Sequence, residues 1–260
     1  MPSKPKLGQN FLRDPQAMER IANALGDLTG ETVIEIGPGQ GAITHVLAAR
    51  ARRVIAIELD RELAADLRGR FPAERVEVVQ ADVLQFDLAA VAAGKRLPVA
   101  GNLPYYITSP ILLKLAGSHS VLDRAVLMVQ RELADRITAE PGTRDYGVLS
   151  VTVQMYGPVE RLFTLPPGAF SPPPDVHSTV FRWRFAPRFE ELGVDEAGFL
   201  RFVRTAFAQK RKTLANNLRA AGYSGASIQD ALKRADVSGQ FRAEALSLEE
   251  TARVYGAIRR

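Results

Sequence analysis

The chain has 260 residues, 46% of them hydrophobic, which is enough for a large domain with a sizeable core and a small second one. It lacks cysteine, so disulfides, thiolate nucleophiles and cysteine-ligated zinc are excluded, and three scattered histidines (His45, His119, His177) make a poor metal cluster. The net charge of +5 is unevenly spread: residues 201–260 carry 12 Lys and Arg against 5 Asp and Glu, so the basic character belongs to the C-terminal part and suits an anionic partner.

No run approaches the roughly 18 uncharged apolar residues of a membrane span. The opening MPSKPKLGQN lacks the apolar stretch of a signal peptide, and a soluble, cytoplasmic protein is expected.

In chain order, Asp14-Pro15 has the form of an N-cap followed by a first helical residue, opening a helix through Leu25. From residue 30 to 132, short runs rich in Val and Ile (32–36, 54–59, 76–80, 97–100, 125–129) alternate with Ala/Leu/Arg stretches such as 42–51 and 61–70. That rhythm predicts βαβ units and a parallel sheet covered by helices on both faces. After a helix-like segment beyond Tyr146, runs 159–165 and 179–185 flank the proline-rich PPGAFSPPPDV. The connection is too short and too rich in proline for a crossover helix, so these two strands close the sheet as an antiparallel pair. Beyond Pro187 only helical periodicity remains, which places a boundary near Ala186 and gives domains 1–186 and 187–260.

The first strand runs into Gly37-Pro-Gly-Gln-Gly41. Gly37, Gly39 and Gly41 let the backbone approach a ligand and leave helix N-terminal amides free. The second strand ends in Glu58-Leu59-Asp60, placed to accept hydrogen bonds from ribose hydroxyls, and the third ends in Asp82-Val83. Three successive strand tips carrying Gly, Glu and Asp point to a nucleoside cofactor. The spacing GxGxG in place of GxGxxG favours S-adenosylmethionine over a dinucleotide, since it has no pyrophosphate to cradle.

The fourth strand ends in GNLPYYITSP, at the rim where open α/β sheets bind ligands. An exocyclic amine on a base is a poor nucleophile because its lone pair is delocalised into the ring. The Asn102 side-chain oxygen and a nearby backbone carbonyl, at Leu103, hold both N–H groups and favour a pyramidal nitrogen facing the methyl donor. Tyr105 offers a ring on which a base removed from its stack can lie. Tyr106 is assigned to packing, and His177 to the surface.

The segments LGQNFL, EIGPGQGAIT, IELD, NLPYYITSP, FSPPPDVHS and KRKTLANNL, in this order and spacing, closely resemble the KsgA/RsmA group of ribosomal RNA adenine N6-dimethyltransferases over nearly the whole chain. The resemblance implies a seven-stranded, Rossmann-like class I methyltransferase domain followed by a small helical domain. It assigns S-adenosylmethionine contacts to Asn10, Leu12, Gly37, Glu58, Asp82 and Asn102, with residues 9–12 closing over the cofactor. Gly39, Gly41 and Val83 join this set from the strand-tip argument. It also implies that Tyr105 and Phe170 flank the target adenine, and that the substrate is a pair of adjacent adenines in the hairpin loop near the 3′ end of 16S rRNA, in the small subunit or its precursor. A monomer that needs no metal is expected.

The family often carries two arginines before Lys212-Thr213, and here Lys210 replaces the first. On one continuous helix, Arg201, Arg204, Arg211 and Lys212 share an arc of about 100°, opposite Phe199, Phe202, Val203, Phe207 and Leu214, which suits contact with an RNA backbone. Three other readings compete, of which DNA adenine and protein glutamine methyltransferases usually have a second proline where Leu103 stands. A large-subunit resistance methyltransferase also has an NLPY-like motif, but FSPPP and the extended KRKTLANNL favour the small-subunit enzyme. An assembly factor that binds without catalysing is expected to lose the glycine loop, Glu58 or Asn102, and all three are present.

Overall fold

The computed structural model describes residues 10–259. A two-residue strand β1 (Phe11–Leu12) leads into α1 (Pro15–Ala24), where the Asp14 carboxylate accepts from the Gln16 and Ala17 amides, as the sequence predicts. Then β2 (Thr32–Ile36), α2 (Ala42–Arg50), β3 (Arg53–Glu58), α3 (Arg61–Arg70), β4 (Val76–Gln80), α4 (Leu88–Ala92) and β5 (Leu97–Asn102) alternate. They are followed by α5 (Thr108–Gly117), β6 (Leu122–Gln130), α6 (Arg131–Ile137), α7 (Val148–Met155), β7 (Val159–Leu165), β8 (Phe170–Ser171) and β9 (Ser178–Arg184). The remainder is α8 (Glu196–Ala206), α9 (Leu214–Ala220), α10 (Gly225–Ala235) and α11 (Leu248–Ile258).

The main sheet has seven strands in the order β4-β3-β2-β5-β6-β9-β7. The first five pair in parallel, and β9 joins β6 and β7 antiparallel. The chain moves from β2 outward to β4, then returns to β5 on the other side of β2, so β2 and β5 mark the point where the winding reverses. Open α/β sheets form their ligand crevice outside the carboxyl ends of such strands. The two strands can approach closely because residue 101 is glycine: a Cβ there would lie 2.9 Å from the Ile36 carbonyl oxygen. Gly101 is directly opposite Ile36, so Gly37 and Asn102 emerge side by side.

The chain divides into two compact units. One holds the described residues through Ala134 with Val159–Phe185, and the other holds Asp135–Pro158 with the described residues from Ala186 onward. The sequence places 135–158 in the first domain, whereas the structure packs it with the later helices. The Ala186 and Arg188 amides donate to the Tyr156 and Met155 carbonyls, both at 2.9 Å, and Gly142 donates to Glu244 O at 2.7 Å. Strands β7 and β9 stay with the sheet, because their ladder hydrogen bonds have partners only there.

The four cationic residues assigned to one helical arc are split. Helix α8 ends at Ala206, and Arg211 and Lys212 lie in the turn before Thr213 caps α9. Asn217, buried at 2%, sets this break: its Nδ2 donates to Ala206 O (2.7 Å) and its Oδ1 accepts from the Gln209 amide (3.0 Å). A side chain thus satisfies groups that a longer helix would have paired internally. Arg201 and Arg204 on the helix, and Arg211 and Lys212 on the turn, are all exposed.

Candidate active site

The tips of β2, β3 and β5 border an open cavity lined by Asn10, Phe11, Leu12, Glu35, Gly37, Gly39, Glu58 and Asn102 through Tyr105, among others. A second, smaller cavity shares Gly37, Glu58 and Pro104 with it and continues past Leu59, Asp82, Val83, Tyr106, Ile107 and Ile111. The shared residues make these two lobes of one cleft, one richer in polar groups and the other mainly apolar.

Gly37 and Gly39 have φ of +64° and +56°, a left-handed backbone that glycine adopts without strain. At Gly39 a Cβ would also press to 3.0 Å of the Phe11 ring. Gly41 is differently placed. It is the N-cap of α2, lies outside both cavity linings, and lacks room for a Cβ because Leu67 Cδ2 would be 2.8 Å away. Its own left-handed backbone, at φ +78°, turns the chain into α2 and asks for glycine in addition to the close Leu67 contact.

The two acids of the second strand's ELD separate. Asp60 caps α3, accepting from the Glu62 and Leu63 amides. Glu58, 3% exposed, accepts from Gly39 N at 3.0 Å through Oε2 and from Asp60 N at 2.9 Å through Oε1, which fixes the carboxylate at the junction of the lobes. Burial raises its pKa, while the two amides oppose the shift.

Glu35 was not among the residues singled out by sequence. It is the penultimate residue of β2, is 1% exposed, and its Oε2 has no hydrogen-bond partner among the described residues. Burial pushes its pKa up to about 8, with Thr44 opposing and the Glu58 charge reinforcing the shift. The available signal was a lone acid in the apolar run TVIEI, because a buried carboxylate is costly unless something pairs with it.

At the tip of β5, Asn102 Nδ2 donates to Asn10 O at 3.0 Å, so the unengaged end of the amide is its acceptor, Oδ1. The Leu103 amide donates to Met128 O at 3.0 Å, which holds the next peptide against β6. Tyr105 is half-buried, lines the cleft, and shares a 2.9 Å hydrogen bond with Ser178 Oγ. Tyr106, assigned by sequence to packing, is 58% exposed and lines the apolar lobe, because the short turn after Pro104 directs the two tyrosines differently.

Phe170 pairs with Leu12 across the β1–β8 ribbon and is 4% exposed within the core, and it does not line either cavity. Leu7 and Gln9 lie outside the described residues. No group of three or more His, Cys, Asp or Glu suited to a metal occurs among the described residues.

The family described as Ribosomal RNA adenine dimethylase matches residues 2–259. The chain belongs to the ribosomal RNA adenine dimethylase family. It is 59% identical over 257 residues to the Ribosomal RNA small subunit methyltransferase A of Acidobacterium capsulatum, covering 98% of this chain and 91% of that protein. With the protein of the same name from Koribacter versatilis the identity is 52%, covering 99% and 95%. Among solved structures, the 23S rRNA methyltransferase ErmE superposes with a TM-score of 0.74 at 26% identity over 96% of this chain and all of that one. A dimethyladenosine transferase from Plasmodium falciparum reaches 0.81 at 23% identity over 94% and 95%, which shows the shared fold.

Like its family, this dimethylase transfers methyl groups to ribosomal RNA adenine and uses S-adenosylmethionine. The cleft fits that cofactor. An unpartnered, fully buried Glu35 oxygen suits an ammonium group, the Glu58 carboxylate suits a diol, and the lobe of Val83, Tyr106 and Ile111 suits a purine, with Asp82 at its edge. No described helix is long and apolar enough to cross a membrane.

Proposed function

We propose that this protein dimethylates the N6 amines of two adjacent adenines in the 3′-terminal hairpin loop of 16S rRNA, as a cytoplasmic monomer acting during small-subunit biogenesis. The observation that carries this reading is the anchored Asn102 amide: with Nδ2 committed to Asn10 O, its Oδ1 is the available acceptor at the point where the winding reverses.

S-adenosylmethionine, when bound, supplies an electrophilic methyl group. Glu58 holds the ribose, Glu35 the ammonium group, and Asp82 and Val83 border the purine lobe, with Asn10, Leu12, Gly37 and Gly39 contributing from the glycine loop and the N-terminal strand. Asn102 Oδ1 and the Leu103 carbonyl accept the two N–H bonds of the adenine amine, so its lone pair is turned away from both. After the first transfer the methylated, cationic nitrogen gives up one proton to water, one N–H remains, and a single acceptor suffices to orient it. The work is positioning and electrostatics, without a strong base. Tyr105 supplies the stacking face. Phe170 completes the other side of the base if the β1–β8 ribbon gives way to it, and Arg201, Arg204, Arg211 and Lys212 meet the RNA backbone.

The test is incubation of unmethylated small subunits with labelled S-adenosylmethionine, followed by mass mapping of the RNA. Two neighbouring dimethylated adenines near the 3′ end are expected, and label elsewhere overturns the substrate. Asn102→Ala should lower the single-turnover rate roughly 10²–10³-fold at saturating cofactor and RNA, the cost of losing one preorganised polar group at a reacting centre, with RNA affinity nearly unchanged.

A further inference from the structure

Stacking uses the face of a ring and needs no hydroxyl, yet the Tyr105 hydroxyl is bonded to Ser178 Oγ at 2.9 Å across 73 residues of sequence. The two ends of this bond differ in rigidity. Tyr105 opens a short turn, Tyr105–Ile107, beyond the end of β5. Ser178 is 0% exposed and begins β9, paired to Gln130 on one side and Leu165 on the other. The residues on either side are equally fixed, since Arg131 N donates to His177 O at 2.9 Å and the Thr179 hydroxyl bonds that of Thr164.

A tyrosine on a turn has two side-chain torsions that set the tilt of its ring, and the second is broad and soft. The hydroxyl oxygen lies on the axis of the second torsion, so one bond there fixes the first torsion directly and restrains the second only through the preference of a phenol to hydrogen-bond in the plane of its ring. Positions on strands hold geometry better than positions on loops. We propose that Ser178 is a positioning residue for methyl transfer, tying the Tyr105 ring to the rigid sheet at the place where it presents the target base to the methyl donor. This rests on the reading of Tyr105 as the stacking ring.

The experiment measures single-turnover methylation of unmethylated small subunits at saturating S-adenosylmethionine, together with thermal unfolding, for Ser178→Ala, Tyr105→Phe, the double variant and Tyr105→Ala. Each of the first two leaves one hydroxyl without its partner, whereas the double variant leaves neither. Unfolding temperature should therefore fall in both single variants and recover in the double. The rate should not recover: all three should be slower by about 5–100-fold, since small misplacements of a reacting group cost up to about 10², with cofactor affinity unchanged. A double variant that recovers its rate along with its stability makes the bond structural and overturns the proposal, as does a Ser178→Ala enzyme of wild-type rate. If Tyr105→Ala itself is as fast as wild type, the stacking assignment falls and the proposal with it. A slow Tyr105→Ala beside a wild-type double variant removes Ser178 alone.

Discussion

Two carboxylates at the strand tips divide the work of holding a charged nucleoside, and each does so at a cost to the unliganded fold. Glu58 is supported by two backbone amides, so Glu58→Ala should weaken S-adenosylmethionine binding by about 1.5–3 kcal/mol, the range for hydrogen bonds to a charged group, as read by calorimetric titration. Glu35 has less support, and its pKa near 8 against an ordinary 4.5 fixes the sign of its pH dependence. A carboxyl whose folded pKa is raised contributes its full stability below about pH 4.5 and loses it as pH rises toward about 8. The unliganded protein should thus melt lower at pH 8 than at pH 5, and Glu35→Gln should flatten that slope. Binding an ammonium group beside Glu35 favours the ionised form, so cofactor affinity should rise between pH 6 and 7.5 in the wild type and less so in Glu35→Gln. Equal slopes in the two proteins would remove Glu35 from the site. Glu58 was legible because a strand-end acid has a clear functional geometry. Glu35 was harder to find, since only its burial and unpartnered oxygen distinguish it from an edge-strand acid facing water.

Among elements, the sheet was legible because its strands are apolar and β-branched and its connections short, and runs 32–36, 76–80 and 159–165 match β2, β4 and β7 to the residue. The β1–β8 ribbon was not. Each strand has two residues, too few for any periodicity, and they meet across most of the domain's sequence. The end of α8 was missed for a different reason: Ala206-Phe-Ala-Gln-Lys-Arg-Lys212 contains no glycine or proline, and local propensity favours continuing the helix. What overrides it is Asn217, a buried amide joined to both sides of the turn. Asn217→Ala should cost roughly 2 kcal/mol, because Ala206 O and Gln209 N are left without this partner in a poorly solvated place, and thermal unfolding of the full chain measures it. An unchanged unfolding temperature would mean that the turn is held by its backbone alone.

At the scale of the whole molecule, cofactor chemistry and cationic charge are segregated along the chain. The residues fitted to S-adenosylmethionine nearly all come before residue 105, while residues 201–260 carry the excess of 12 basic over 5 acidic groups. Affinity for a polyanion is dominated by counterion release, which depends on how many phosphates are neutralised and little on the arc the cations share. The splitting of Arg201 and Arg204 from Arg211 and Lys212 therefore leaves the electrostatic argument standing and changes only its geometry. Exposed cations on a turn reach a phosphate as well as those on a helix do. Arg211→Gln with Lys212→Gln should weaken binding to small subunits across salt concentrations. The slope of log affinity against log salt should fall by about 0.9 for each duplex phosphate that is no longer neutralised, or about 0.7 for a single-stranded one. Cofactor affinity should stay at the wild-type value, because no cleft residue has been touched. The methylation rate at saturating RNA should also hold, since these side chains act on binding and not on the reacting nitrogen. A salt slope equal to the wild type's would make the basic turn a solvated surface and move the search for RNA contacts elsewhere. A fall in the saturated rate would instead show that backbone contacts help to place the adenine over Tyr105.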